Sequence, residues 1–288
     1  MTKADIRNFE LDDFPMSPVG SQPAQKYYDA FLRAKSLFDQ IPAKDKSKNS
    51  EAAFLSIFKE VSSQPADQVA LFRRHADAKD ALTTLWLSKV RSWSKLFVGM
   101  NGLPSFNGIT SDDMTGIAKL SRDIKSIRQL PHILAERGIV LIYEPYLAGM
   151  KLDGAVFALD SGNPVIALSL RYPRLDSLWF TLMHELAHIS LHLDLLTTPI
   201  LDDLDEDSSD LIEKEADRLA LNATISRSDW RNCEAKYEFK ENAVFSFAAR
   251  VGVHPAIVAG RLRKELNRYN LFSEIVNAVD VRKVIWDE

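Results

Sequence analysis

The sequence predicts an α+β fold, a short β-sheet set among helices, and three observations predict it. Apolar runs of strand length cluster between residues 139 and 168, as IVLIY, AVFAL and PVIAL. Helical periodicity dominates on either side of them. DSGNP, between the second and third runs, is hairpin chemistry. Apolar residues make up 46 % of the 288 and charged residues 26 %, enough for a core without covalent staples.

Taken in order, residues 1–23, with Pro15, Pro18 and Pro23, read as an N-terminal arm. AQKYYDAFLRAKSLFDQI sets Tyr27, Phe31, Ala34 and Phe38 on one helical face. IPAKDKSKNS is a polar linker, and EAAFLSIFKEV and QVALFRRHADAKDALTTLWLSKVRSWSKLF continue a helical N-terminal region over 24–110. Within it Trp86 and Trp93 read as core aromatics and Arg73-Arg74 as a solvated pair. Residues 111–288 read as a second unit with a helical C-terminal extension. SDDMTGIAKLSRDI is a helix with Ser111 as its N-cap, and LPHILAERG a short helix with Pro131 near its start and Gly138 past its end. After the strands, Asp176 or Ser177 caps a helix running to about Leu195. The acidic LDDLDEDSSD reads as a solvated loop, LIEKEADRLAL as a helix, and NAVFSFAARVG, HPAIVAGRLRKELNRY and LFSEIVNAVDVRKVI as the helical tail.

Charge and cysteine content narrow the function. The net charge is −4, with +4 over residues 1–130 and −8 over 131–288, so direct nucleic-acid binding is not expected. The lone cysteine, Cys233, excludes an intrachain disulfide and a Cys-rich metal site. The first residues lack the apolar core of a signal peptide, and no run approaches 18 apolar residues. A cytoplasmic protein with no membrane partner is the expectation.

TLMHELAHISLH, residues 181–192, holds three of the six histidines. His184-Glu185-Leu186-Ala187-His188 is the HExxH pattern, expected by chance about 0.006 times from this chain's six His and fifteen Glu. Histidines four apart lie about 40° apart on a helix, one turn above the other, so both imidazoles can reach one ion. Glu185 then lies beside the ion, placed to take a proton from water in metal-assisted hydrolysis. Leu182, Met183, Leu186, Ala187 and Ile189 make this a buried helix, on which unpartnered polar groups are costly. His192, two turns past His184, is badly placed as a ligand and reads as structural or as a support to one. Leu191 and Asp194 stand where a metzincin needs Gly and His. The third ligand is read downstream, in IEKEAD. Glu213 completes the set, and Asp217 accepts a hydrogen bond from a ligating imidazole and sets its tautomer. Glu215 falls on another side and reads as solvent-facing. Asp203, Asp205 and Asp207 alternate like a calcium loop, but Ser208 and Lys214 occupy positions that an EF-hand gives to Gly and Glu.

On these motifs, residues 130–265 resemble the ImmA/IrrE family of metallopeptidases. The likeness rests on LDGAVFALDSGNPVIALSLRYPRLDSLWFTLMHELAHISLH, on IEKEAD and on VHPAIVAGRLRKE. RYPRLDSLWFTLMHELAH is similar to the branch fused to, or encoded beside, HigA-type antitoxins. The resemblance implies a small zincin-like domain, with a short β-sheet packed on the HExxH helix. It implies Zn2+ held by His184, His188 and Glu213, Glu185 as the base, and cleavage of a helix-turn-helix repressor or antitoxin. NATIS stands where the family usually has LLMP or LIP, so the packing there is expected to differ. Tyr143, Tyr146, Arg171 and His254 are candidate donors to the oxyanion, His254 reading first as a turn residue. PVIAL or AVFAL could pair with substrate as an added edge strand. The competing expectation is a toxin–antitoxin or regulatory binding protein whose zinc site is structural or sensory.

Overall fold

A computed structural model describes residues 24–46, 50–63, 78–202 and 210–286. The N-terminal arm, Arg73-Arg74 and the alternating Asp203, Asp205 and Asp207 lie outside the described residues. The N-terminal region contributes helices α1 (Ala24–Gln40), α2 (Ser50–Ser63) and α3 (Ala78–Asn101). Helices α4 (Ser111–Lys119) and α5 (Ser126–Ala135) lead into β1 (Val140–Tyr143), β2 (Gly154–Ala158) and β3 (Pro164–Leu168). Then come α6 (Leu175–Leu191), β4 (Ile200–Asp202) and α7 (Leu211–Thr224). The tail forms α8 (Arg227–Arg231), α9 (Ala235–Glu238), α10 (Glu241–Val251), α11 (Pro255–Glu265), α12 (Ser273–Asn277) and α13 (Val281–Trp286).

The sheet order is β1-β3-β2-β4. β1 runs parallel to β3, while β2 is antiparallel to both β3 and β4. Successive side chains point to opposite faces of a strand. One face sends Leu141, Val156, Ile166 and Leu168 into the core around α6. The other sends Val140, Ala155, Phe157, Val165 and Ala167 into a second cluster with Phe38, Phe54, Ile57 and Trp86 from α1–α3. Both faces are therefore covered, and that is why the strands read as continuous apolar runs rather than as alternation.

Several local readings are corrected. Thr110, not Ser111, caps α4: its hydroxyl accepts from Asp113 N, and the Asp113 carboxylate accepts from Thr110 N. Pro131 lies inside α5, which begins earlier, at Ser126. Proline has no N–H to give the carbonyl four residues back. That carbonyl, Ile127 O, is satisfied by the Tyr143 hydroxyl at 2.9 Å. Gly138 (φ 75°) lies past the end of α5, where a Cβ would sit 2.6 Å from Pro104 O. Neither Asp176 nor Ser177 caps α6. The cap is Arg174, Asp176 lies in the first turn, and the helix stops at Leu191 before a short 3-10 turn at Leu193–Leu195. Trp86 is fully buried, its Nε1 donating to Glu144 O at 3.0 Å, but Trp93 is 53 % exposed and is not a core residue. Ile225 of NATIS is buried and Ser226 caps α8. Among the described residues, no single helix is long and apolar enough to cross a membrane.

Candidate metal centre

α6 runs through the core, and Leu175, Leu178, Leu182, Met183, Leu186 and Ile189 bury it on all sides. His184, Glu185 and His188 are buried within it, so their polar atoms must find partners inside the protein. α7 packs directly against α6. Its N-cap, Asp210, accepts from Ile212 N and starts the helix so that Glu213 lies in the first turn.

The site residues converge as follows. His184 Nε2 and His188 Nε2 face each other at 3.0 Å. Glu213 Oε2 lies 3.1 Å from the first and 3.5 Å from the second. A fourth residue, absent from the sequence reading, joins them. Asp202 Oδ2, at the end of β4, is 3.6 Å from His184 Nε2 and 3.8 Å from His188 Nε2. The candidate donor atoms of all four residues lie within 4.8 Å of one another. Tetrahedral bonds of about 2.0–2.2 Å would separate the donors by about 3.3–3.6 Å, so these spacings suit one small cation. Asp202 is the first acid of the run read as a solvated loop, yet it is 4 % exposed. Its pairing with Gly154 carries it inward, and no local pattern marks it out from the acids that follow.

Hydrogen bonds outside this cluster orient the rings. Asp217 Oδ1 lies 2.9 Å from His184 Nδ1. His188 Nδ1 meets His192 Nδ1 at 3.2 Å, and His192 Nε2 meets Glu215 Oε2 at 3.3 Å. One tautomer assignment satisfies the whole network: each of His184 and His188 keeps its proton on Nδ1 and turns a lone pair on Nε2 toward the cluster. His192 then accepts on Nδ1 and donates from Nε2 to Glu215. Glu215 is thus half exposed but not merely solvated, and His192 supports His188 from outside the donor set.

The imidazoles and carboxylates of the cluster shift one another's protonation. Burial would push His184 down, but the carboxylates of Asp202, Asp217 and Glu213 outweigh it and hold the imidazole well above its ordinary value. Burial would raise Glu213, but hydrogen bonds to His184 and His188 outweigh it and hold the carboxyl well below its usual range. Glu185 moves the other way. Complete burial, reinforced by the Asp202 charge, pushes its carboxyl well up, and neither of its oxygens has a hydrogen-bond partner. The carboxylate fits because residue 154 of β2 is glycine, where a Cβ would sit 1.9 Å from Glu185 Oε1.

The oxyanion candidates separate by location. Tyr143 is committed to the carbonyl that Pro131 frees. His254 Nδ1 accepts from Ala256 N and caps α11, the turn role read first. Tyr146 packs against the cluster on the far face of the sheet. Arg171, 3.5 Å from Asp153 Oδ2, lines a small pocket with Tyr172, Ser177 and Thr181, and Thr181 also borders Gly154.

A short mixed sheet over a helix bearing two inward imidazoles, with a carboxylate from the next long helix, defines a zincin-like domain. Residues 134–263 match the IrrE N-terminal-like domain of the M78 peptidases, and this part of the chain is similar to the ImmA/IrrE metallopeptidases. The match takes in the strands, α6 and α7 and leaves α1–α3 outside. A comparison with curated proteins finds no match.

Proposed function

We propose that the protein is a zinc-dependent endopeptidase of the cytoplasm that cleaves a helix-turn-helix repressor or antitoxin of the HigA-associated kind and so controls gene expression. The observation that carries the reading is the convergence of His184 Nε2, His188 Nε2 and Glu213 Oε2 beside the buried, unpartnered Glu185 carboxyl. Two imidazoles and one carboxylate suit zinc. The likeness of residues 134–263 to a peptidase domain supports the class of reaction, and the substrate class follows only from the resemblance to the ImmA/IrrE metallopeptidases.

His184, His188 and Glu213 would hold the ion. Bound there, it supplies Lewis-acid polarisation of the scissile carbonyl and a lowered pKa for water. Glu185 takes the proton of the attacking water and returns it to the departing amine. Asp217, and the His192–Glu215 pair, keep the Nε2 lone pairs aimed inward. Glu185→Gln is expected to keep the metal and lose cleavage of a co-encoded repressor. Cleavage retained by that variant would remove Glu185 from its role.

Asp202 favours a second reading. A site with four protein donors is closed, as structural zinc sites are. The protein would then bind its partner without cutting it, with α1–α3 as a docking module. A stable, uncut complex with the repressor, whether or not zinc is present, would support that reading.

A further inference from the structure

We infer that Asp202 is a displaceable fourth donor to the metal, and that the strand carrying it occupies the sheet edge a peptide substrate must take. The inference rests on the peptidase reading above and reconciles it with the closed donor set.

The first observation is the state of Asp202 itself. Its Oδ2 is buried and has no hydrogen-bond partner. The nearest imidazole nitrogens, at 3.6 and 3.8 Å, are beyond hydrogen-bond reach. A buried carboxylate oxygen so placed is costly unless a cation neutralises it, either a proton on the His184 ring 3.6 Å away or a metal ion held by both rings. A metal ion held by both Nε2 atoms would take the place of any proton there, and two positive charges would balance the carboxylates of Asp202 and Glu213.

The second observation is where the chain holds Asp202. β4 is one of the two edge strands, three residues long, and pairs antiparallel with β2 in the register Gly154↔Asp202, Ala155↔Leu201 and Val156↔Ile200. Without β4, β2 would be the sheet edge. Its free backbone groups would then be those that an extended peptide uses when it adds a strand. Gly154, opposite Asp202, is also the residue against which Glu185 packs. A peptide taking the place of β4 would therefore bring its backbone to the base and to the metal position together. β4 is also lightly held: Leu201 is 39 % exposed, and the ladder spans three pairs against five between β2 and β3.

The resting protein thus has a coordination sphere closed by its own chain. A substrate opens it by pairing with β2 in place of β4, which vacates a corner for water and the scissile carbonyl. The occupant this geometry selects is an extended, unstructured segment that can run antiparallel to β2.

The test uses the full chain as wild type, Asp202→Asn and Asp202→Ala. Zinc affinity is measured by competition with a chromophoric chelator, coordination by the visible absorption of the cobalt(II) form, and edge pairing by hydrogen exchange at residues 154–156 and 200–202. Groups that merely support ligands are worth about 10-fold or more in metal affinity, so both variants should bind zinc weaker by at least about 10-fold. Their cobalt bands should change as water replaces a carboxylate. In wild type, zinc should slow exchange along the β2–β4 edge, a readout independent of how the variants fold. The inference is overturned if both substitutions leave zinc affinity and the cobalt spectrum unchanged, or if exchange at 200–202 in wild type ignores zinc. Failure of the peptidase reading has a different signature: the zinc-loaded wild type would then hold the repressor in a stable complex and leave it uncut, whatever the Asp202 variants do to zinc affinity.

Discussion

Adding one methyl group at Gly154 should disable the protein while leaving it folded and loaded with metal. A Cβ there would lie 1.9 Å from Glu185 Oε1 and 2.6 Å from Thr181 Cγ2. To reach ordinary contact at 3.4 Å, the carboxylate oxygen must retreat by about 1.5 Å. Glu185 is fully buried, so the retreat cannot be absorbed by swinging into solvent. A misplacement of about 1 Å at a catalytic group costs about 100-fold in rate, or about 2.7 kcal/mol of barrier. Crowding of this kind costs about 1–3 kcal/mol of stability. Gly154 does not carry a positive φ, so the effect arises from space and not from backbone strain. The assay is repressor cleavage under single-turnover conditions, with bound zinc and a denaturation midpoint measured on the same sample. Gly154→Ala with wild-type turnover would refute the placement of Glu185 against β2.

Glu213→Ala should lose zinc binding measured by metal analysis after dialysis, whereas Lys214→Ala, one residue on, should keep it. Asp217→Ala should weaken zinc by about 10–100-fold in a chelator competition, because it removes the acceptor that fixes the His184 tautomer. Trp86→Ala should cost about 3–5 kcal/mol in urea unfolding, since the side chain is fully buried between α1–α3 and the sheet. His254 should make stability fall on acidification. Burial holds its pKa below the ordinary value, and its neutral Nδ1 caps α11. The stability it contributes is present above its unfolded value of about 6.5 and is lost as pH falls through the lower folded value. His254→Asn keeps an N-cap acceptor without titrating, so thermal melts at pH 7.5 and 5.5 should differ less for it than for wild type. An equal difference in the two proteins would show that His254 does not titrate with unfolding.

Local sequence was sufficient wherever a feature depends on neighbours along the chain. The i, i+4 spacing of His184 and His188 puts two imidazoles on one helical face whatever surrounds them. Glu213 and Asp217 share a face of their own helix for the same reason. The three strands, and the hairpin at DSGNP, were likewise legible from apolar runs and turn residues. Caps were read one or two residues off: Thr110 takes the role from Ser111 through a reciprocal capping box, and α6 starts after Arg174, whose side chain makes no capping bond. Pro131 looked like a helix start because its missing donor is harmless there. Inside α5 it is tolerated only because Tyr143, twelve residues away on another element, supplies the bond. Trp93 and Trp86 carry the same residue type at helical spacing, and only the packing of α3 on the sheet buries one and exposes the other. Asp202 shows the limit most plainly. It is one acid in an acidic run, and nothing local separates it from its neighbours. Pairing with Gly154, 48 positions earlier in the chain, turns its carboxylate toward two imidazoles that the sequence had already brought together. Helical periodicity fixes which donors can share a face, but the long-range register of a sheet edge decides which carboxylate comes to stand beside the two imidazoles.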